Sequence, residues 1–264
     1  MAFRAGGKES GVVRMPTCKL HKEEVSALVK SHVVPRSFYE INPDLPAPRL
    51  VTNTKGVYPK KSPIGVYDEN IVCGQCEARF SRYDDYAARL LLHGAREFEK
   101  IPNPETGRLG GYLIREYDYH LLKMFVVATV WRASAAEHPF FSRVDLGPFD
   151  ARAREMLLKD EPGEPQEFGS LLLAWAVDYP VMMDPVPEKI FTVRTYRFYL
   201  GRYHAVVKVD KRPFAERWER GLLRPGQPLE VCLRHYEGSK NFEVDDRVRQ
   251  ANAGYLAKAF ARKE

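Results

Sequence analysis

Cys73-Gly-Gln-Cys76, with the segment that follows it, decides the fold of the first third of the chain. Apolar residues at 80, 83, 87, 90 and 91 have the spacing of one helix face, which predicts a helix over residues 77–93. Upstream, Cys18-Lys-Leu-His21 is a second pair of donors with the same two-residue spacing. Three sulfurs and one imidazole nitrogen suit a tetrahedral ion. We therefore expect one structural zinc site, with the ligands Cys18, His21, Cys73 and Cys76.

The alternative for Cys73 and Cys76 is a redox pair. Redox Cys-x-x-Cys motifs usually open a helix in a βαβ unit, and no βαβ pattern precedes Cys73. Four protein ligands leave no open coordination position, so the zinc is expected to have no catalytic part. The fourth cysteine, Cys232, lies in the strand-like segment 229–233 and is expected to be a small buried apolar residue.

The segment between the two ligand pairs has little local propensity to fold. Six prolines fall from Pro35 to Pro63, and proline disfavours helix at its own and the preceding position. One short helix is expected over residues 22–31, and residues 1–15 are expected to be a flexible lead-in. A zinc ion would close this large loop.

The rest of the chain predicts helices followed by strands. An apolar helix is expected over residues 118–137, and it should be buried because it is apolar nearly all round. Further helices are expected at residues 150–159 and 245–262. The predicted strands are residues 110–115, 170–179, 190–200, 203–209 and 229–233.

The predicted fold class is therefore α+β, in three parts. After the lead-in at residues 1–15 comes a zinc-bound module at 16–95. An α+β domain of unknown role at 96–264 follows, with its helical section before its β-rich section.

Charge is concentrated at the front of the chain. Residues 1–67 hold 11 Lys/Arg and 5 Asp/Glu, while the remaining residues hold 30 of each sign. This excess favours either a polyanionic partner or a basic surface without a specific partner. No apolar run reaches the roughly 18 residues that span a bilayer, and the start lacks a signal-peptide core. We expect a cytoplasmic protein without a membrane partner.

Ser31-His-Val-Val-Pro35, between the ligand pairs, completes a pattern that resembles the HNH (ββα-metal) nuclease family. That family commonly has a Cys-x-x-Cys pair, then Asp-His-x-x-Pro, then a second Cys-x-x-Cys followed by His and a helix. This resemblance covers about residues 16–95. A bacterial set of HNH-like proteins is more similar and extends the likeness to about residue 160. It matches on Cys76-Glu-Ala-Arg-Phe-Ser81, Val130-Trp-Arg-Ala-Ser134 and Asp145-Leu-Gly147.

The resemblance implies a ββα-metal fold and hydrolysis of phosphodiester bonds in DNA or RNA. His32 matches the His that activates water, and Glu77 matches the final His, commonly a ligand of a catalytic Mg²⁺ or Mn²⁺. Asp68 stands near the position of the middle Asn, with Asn70 as the alternative. Ser31 replaces the Asp that often holds the metal in the family. The second hypothesis is therefore a catalytically inactive zinc-stabilised module that binds nucleic acid or a protein, in phage biology or phage defence.

Basic and aromatic residues are interleaved after His32, with Phe38, Tyr39 and Tyr58 among the cations. Such a mixture can contact phosphates and stack bases, or it can be a solvated loop with a few packed rings. The residues expected to bind nucleic acid are Arg36, Arg49, Lys55, Lys60 and Lys61.

Two features of the remaining chain carry weaker expectations. Arg132, within the apolar helix, is expected to pair with an acidic side chain in the core. Residues 196–204 form a predicted hairpin rich in Tyr and Arg, a composition found both at interfaces and on edge strands.

Overall fold

A computed structural model describes residues 15–39, 49–51, 60–61, 64–176 and 181–235, with residues 242–243, 246–247 and 250. The helices are α1 (Gly74–Ala88), α2 (Tyr119–Ala135), α3 (Asp150–Lys159) and the single turn α4 (Glu216–Glu219). The first six strands are β1 (Val29–His32), β2 (Arg49–Val51), β3 (Lys60–Lys61), β4 (Tyr67–Val72), β5 (Glu99–Pro102) and β6 (Leu109–Ile114). The others are β7 (Ser170–Trp175), β8 (Val181–Met183), β9 (Val186–Ile190), β10 (Val193–Leu200), β11 (Tyr203–Lys208) and β12 (Leu229–Arg234). The predicted α+β class is confirmed.

The N-terminal part consists of two antiparallel strands followed directly by a helix. Strand β1 pairs with β4, and His32 lies opposite Tyr67 in the register. The expected helix over residues 22–31 is wrong. Lys22 has a φ of 64°, which a right-handed helix excludes, and residues 29–32 extend to pair with β4.

The three long predicted helices are confirmed, each with a visible local cause. Helix α1 begins at the metal-ligand pair and continues through a π-helical turn at Arg89–His93. The Asp118 side chain caps α2 by accepting a hydrogen bond from the Leu121 N–H at 2.9 Å. Every residue of α2 from 122 to 133 is buried, as its apolar sequence predicts. Helix α3 ends at Asp160, which is left-handed.

A seven-stranded sheet organises the C-terminal part. Its strand order is β5-β6-β12-β7-β11-β10-β9, with β12 and β7 parallel and the other pairs antiparallel. The predicted turn between β10 and β11 is present, and Gly201 supplies its positive φ of 66°. A second sheet has the order β3-β2-β8, with β2 parallel to β8. That pairing joins the segment between the ligand pairs to the C-terminal half.

One buried cluster extends from Cys18 to Val231 and includes side chains of α1, α2, α3 and the large sheet. The composition changes near residue 95, but the hydrophobic core is continuous across that position. Among the described residues, no helix is long and apolar enough to cross a membrane.

Two expectations about the β-rich section need correction. Cys232 is exposed, because alternation along β12 points Leu229 and Val231 into the core and the cysteine away from it. The hairpin rings are mainly core residues, since Tyr196, Tyr203 and His204 are almost fully buried. The predicted C-terminal helix lies largely outside the described residues, although positions 246–247 and 250 are helical.

An ion pair in the core holds α1 to α2, as expected for Arg132. Arg132 is fully buried and donates two hydrogen bonds to the Asp84 carboxylate, at 2.7 and 2.8 Å. Its Nε donates to the Ala128 carbonyl at 3.3 Å. Such a fork-to-carboxylate geometry satisfies both charges without water.

Removing the cation from this pair should destabilise the protein strongly. We expect Arg132→Met to lower the free energy of unfolding by about 3–5 kcal/mol, because it leaves a nearly buried carboxylate without its partner. Urea unfolding measures the difference. The matched control is Arg115→Met, which breaks the half-exposed pair with Glu99 and should cost at most about 1 kcal/mol. Equal losses in the two variants would contradict this account of the core.

Candidate metal centre and adjoining polar cluster

The four predicted metal ligands meet at one point. Their donor atoms all lie within 4.8 Å of one another. Cys18 Sγ is 3.8 Å from Cys76 Sγ, and His21 Nε2 is 3.4 Å from Cys73 Sγ. Tetrahedral zinc with Zn–S of about 2.3 Å and Zn–N of about 2.0–2.1 Å requires separations of about 3.8 and 3.5 Å. The group can therefore hold a metal ion such as zinc.

Two local structures present these donors. Thr17 bridges Glu24 in an antiparallel manner, and the Cys18 N–H donates to the Glu23 carbonyl at 3.0 Å, which makes the tight turn that carries Cys18 and His21. Cys73 is the N-cap residue of α1, and Cys76 lies in its first turn. The Lys19 N–H donates to the Ile71 carbonyl at 2.9 Å, which attaches the turn to β4.

The chemistry of the donors also favours a bound cation. Burial raises the pKa of the Cys76 thiol, and the neighbouring Cys18 raises it further. Burial also acts on Cys73, but hydrogen bonds from the Cys76 N–H and from His21 bring its pKa down to about 7. Several thiolates cannot share this space without a positive charge between them, and a metal ion supplies that charge. Glu23 fixes the His21 ring through two contacts: its N–H donates to His21 Nδ1 at 3.3 Å, and one of its carboxylate oxygens is 3.5 Å from the same nitrogen.

His32 lies at the end of β1, on the same ββα element. Its ring is half-buried, and its Nε2 is 2.9 Å from the Ile64 carbonyl oxygen. A carbonyl only accepts hydrogen bonds, so Nε2 carries the proton and Nδ1 holds the lone pair in the neutral ring. Among the described residues, Nδ1 has no hydrogen-bond partner.

Burial lowers the pKa of His32 below 6.5, and the guanidinium groups of Arg132 and Arg36 also lower it. The Ile64 carbonyl and the Asp84 carboxylate act in the opposite direction. The net effect keeps the imidazole neutral at pH 7, which is the form that accepts a proton.

Glu77 lies beside Ser31 and Arg132. Burial raises the pKa of Glu77, while the charge of Arg132 and the nearby Ser31 hydroxyl oppose this rise. Glu77 Oε2 and Ser31 Oγ are both buried, and neither has a partner at normal hydrogen-bond geometry within the described part of the chain. The structure thus gathers Ser31, His32, Glu77, Asp84 and Arg132 into one polar cluster.

These side chains do not make a second metal site by themselves. Within the described ranges, the Cys/His cluster is the only group of three or more His, Cys, Asp or Glu side chains that could hold a metal ion. Arg132 places a cation next to Glu77, where a divalent ion would have to bind. The residues present therefore do not fit a Mg²⁺ or Mn²⁺ ion held by Glu77 and Asp68.

Asp68 has a different set of contacts from those of the polar cluster. Its carboxylate accepts hydrogen bonds from the N–H groups of Asn70, Glu137 and His138, at 2.8, 2.6 and 3.0 Å. These bonds hold β4 against the segment that follows α2. These bonds stabilise the fold. Asp68 lies opposite Ser31 in the β1–β4 register, but within the described part of the chain no hydrogen bond or ion pair joins its carboxylate to His32 or Glu77.

The predicted nucleic-acid contacts are described only in part. Arg36 is exposed and begins a short 3₁₀ helix, Arg36–Tyr39, whose Phe38 and Tyr39 are buried. Arg49 pairs with Lys61 between β2 and β3, and Lys60 is the neighbouring residue of β3. Lys55 and Tyr58 lie outside the described residues.

Sequence reasoning missed two members of this site. No sequence motif links Asp84 to Arg132, which is 48 residues away, yet the Asp84 carboxylate is the partner of Arg132. Its spacing from Phe80 and Ala87 on the buried face of α1 was the available signal. The contact of His32 with the Ile64 carbonyl could not be predicted from residue types, because every residue has a backbone carbonyl.

Comparison of the chain with family models, curated proteins and solved structures gives no match. Function therefore has to be inferred from the chemistry of the cluster itself.

Metal content should depend on the four ligands. We expect the purified protein to hold about one zinc ion per chain, and Cys76→Ala to lose it and to unfold at a lower temperature, because a structural ion contributes directly to folding. Elemental analysis and thermal unfolding measure the two effects. Cys232→Ala is the matched control and should match the parent in both. A full equivalent of zinc in Cys76→Ala would refute the ligand assignment.

Proposed function

We propose that this protein is a zinc-stabilised, HNH-like nuclease that hydrolyses phosphodiester bonds, with His32 as the general base. The orientation of His32 carries the proposal: Nε2 is bound to the Ile64 carbonyl, and Nδ1 remains able to accept a proton. The ββα arrangement around it agrees with the resemblance to HNH nucleases.

The chemistry required of this site is simple. A neutral imidazole takes a proton from water as the water oxygen attacks phosphorus. The P–O bond to the leaving alkoxide then breaks, and the alkoxide takes up a proton from the solvent or from the imidazolium, which restores the neutral ring. Arg36 is close enough to act electrostatically on His32, and it is exposed. A phosphate drawn to this guanidinium would therefore lie near the base. A zinc ion with four protein ligands has no open coordination position, so its part is to hold the turn of Cys18 and His21 against the start of α1.

A second function, binding without hydrolysis, is favoured by the environment of Glu77. Its Oε2 is buried and Arg132 is its neighbour, so the carboxylate is not presented to a catalytic cation. A zinc-stabilised module of this kind would bind nucleic acid or a protein and turn nothing over.

Loss of the imidazole should abolish cleavage. We expect His32→Ala to cut plasmid DNA or single-stranded RNA about 10²–10⁴-fold more slowly than the parent, because general-base catalysis contributes that factor. Mg²⁺, Mn²⁺ and metal-depleted buffers are compared without EDTA, so that the structural ion stays in place. His93→Ala, at an exposed histidine, is the matched control and should cut like the parent.

The pH profile tests the same assignment. The active form is the neutral ring, and its pKa lies below 6.5, so the rate should rise with pH and reach half of its plateau at a pH below 6.5. Cleavage by His32→Ala at the parental rate would overturn the assignment. If the parent binds nucleic acid in a salt-sensitive manner but does not cleave it with any ion, the result would support the second function, binding without hydrolysis.

A further inference from the structure

The hydrogen bond that orients His32 depends on a backbone that turns back on itself. His32 pairs with Tyr67 in the β1–β4 register, but its ring bonds to the carbonyl of Ile64, three residues earlier. The chain between Ile64 and Tyr67 must therefore curl towards the ring before β4 begins.

Gly65 provides that curl. Its φ is +78°, a value that favours glycine because a Cβ would crowd the carbonyl. A Cβ at this position would also lie 2.6 Å from Tyr39 Cε2 and 2.7 Å from Tyr39 Cδ2. Both distances are far shorter than a van der Waals contact between carbon atoms.

Tyr39 has little room to move away. It is 1% exposed and belongs to the 3₁₀ helix that begins at Arg36, four residues after His32. The same short stretch of chain thus carries both the imidazole and the ring against which Gly65 packs.

We propose that Gly65 is a positioning residue for His32: its left-handed backbone, pressed against Tyr39, holds the Ile64 carbonyl on Nε2 and so keeps Nδ1 as the proton acceptor. The effect on hydrolysis rests on the proposed function, whereas the effect on the imidazole does not.

Gly65→Ala tests this, with the tautomer of His32 read from long-range ¹H–¹⁵N correlation spectra of the full chain. We expect the parent to show the Nε2–H tautomer and Gly65→Ala to show a mixture of both, with a lower His32 pKa, because the Ile64 carbonyl raises that pKa in the parent. Cleavage should fall by about tenfold, the value of one hydrogen bond.

Gly107→Ala is the matched control. Gly107 also has a positive φ, of 66°, but a Cβ there would meet nothing within 4 Å. It should therefore bear the same backbone strain and leave the His32 spectrum unchanged. Tyr39→Leu is the second variant. It removes the ring without adding a Cβ, and it should shift the tautomer in the same direction even if Gly65→Ala does not fold.

The outcomes separate the two proposals. An unchanged tautomer and pKa in folded Gly65→Ala, or in Tyr39→Leu if the alanine variant is unfolded, overturns the positioning role. If the tautomer shifts in the variant but the parent cleaves no nucleic acid, the positioning role is supported and the proposed nuclease activity is rejected.

Discussion

The convergence of Cys18, His21, Cys73 and Cys76 is the constraint on which the site depends. Cys18 and Cys76 are 58 residues apart, and their sulfurs are 3.8 Å apart. Closing a loop of that length costs conformational entropy that a Pro-rich segment does not repay through local structure. A metal ion held by these four ligands would supply the missing free energy, at the point where β4 ends and α1 begins.

A second constraint comes from the other side of α1. The buried Arg132–Asp84 pair fixes α1 to α2, and α2 is surrounded by the core on all sides. The polar cluster therefore includes this ion pair, and Glu77, another of its members, directly follows the metal ligand Cys76 in α1. Glu77 Oε2 and Ser31 Oγ are buried without a normal hydrogen-bond partner, and the charge of Arg132 offsets part of the cost of burying the Glu77 carboxylate.

Much of this structure follows from local sequence, because its cause is local. The helical period of α1, the apolar run of α2 and the alternation in β10 and β11 each predict their element within a few residues. The metal ligands follow from spacing and donor type alone. Residues 22–31 have apolar side chains at helical spacing, which led to the wrong prediction of a helix. Pairing of residues 29–32 with β4 and the positive φ of Lys22 exclude it. The prediction that Cys232 is buried was wrong because the register of β12 decides which side chains face the core, and composition does not specify register.

The contacts that could not be predicted from the sequence are those between residues far apart in the chain. Asp84 and Arg132 are 48 residues apart, and the carbonyl that orients His32 is 32 residues from it. Asp68 shows that long-range contacts can also overturn an expectation drawn from a motif. Its position in the motif suggested chemistry, and its three backbone donors come largely from a segment about 70 residues away.

Hydrogen exchange before and after removal of the metal tests the central claim most directly. If the ion holds the ββα element together, the amides of β1, β4 and the first turn of α1 should lose their protection in the metal-free protein. The strands β7, β10 and β11 should keep theirs, because Leu171, Val193 and Val206 of these strands belong to a second buried cluster that contains no residue of the ββα element. Full protection of β1 and β4 after complete loss of the metal would contradict the account.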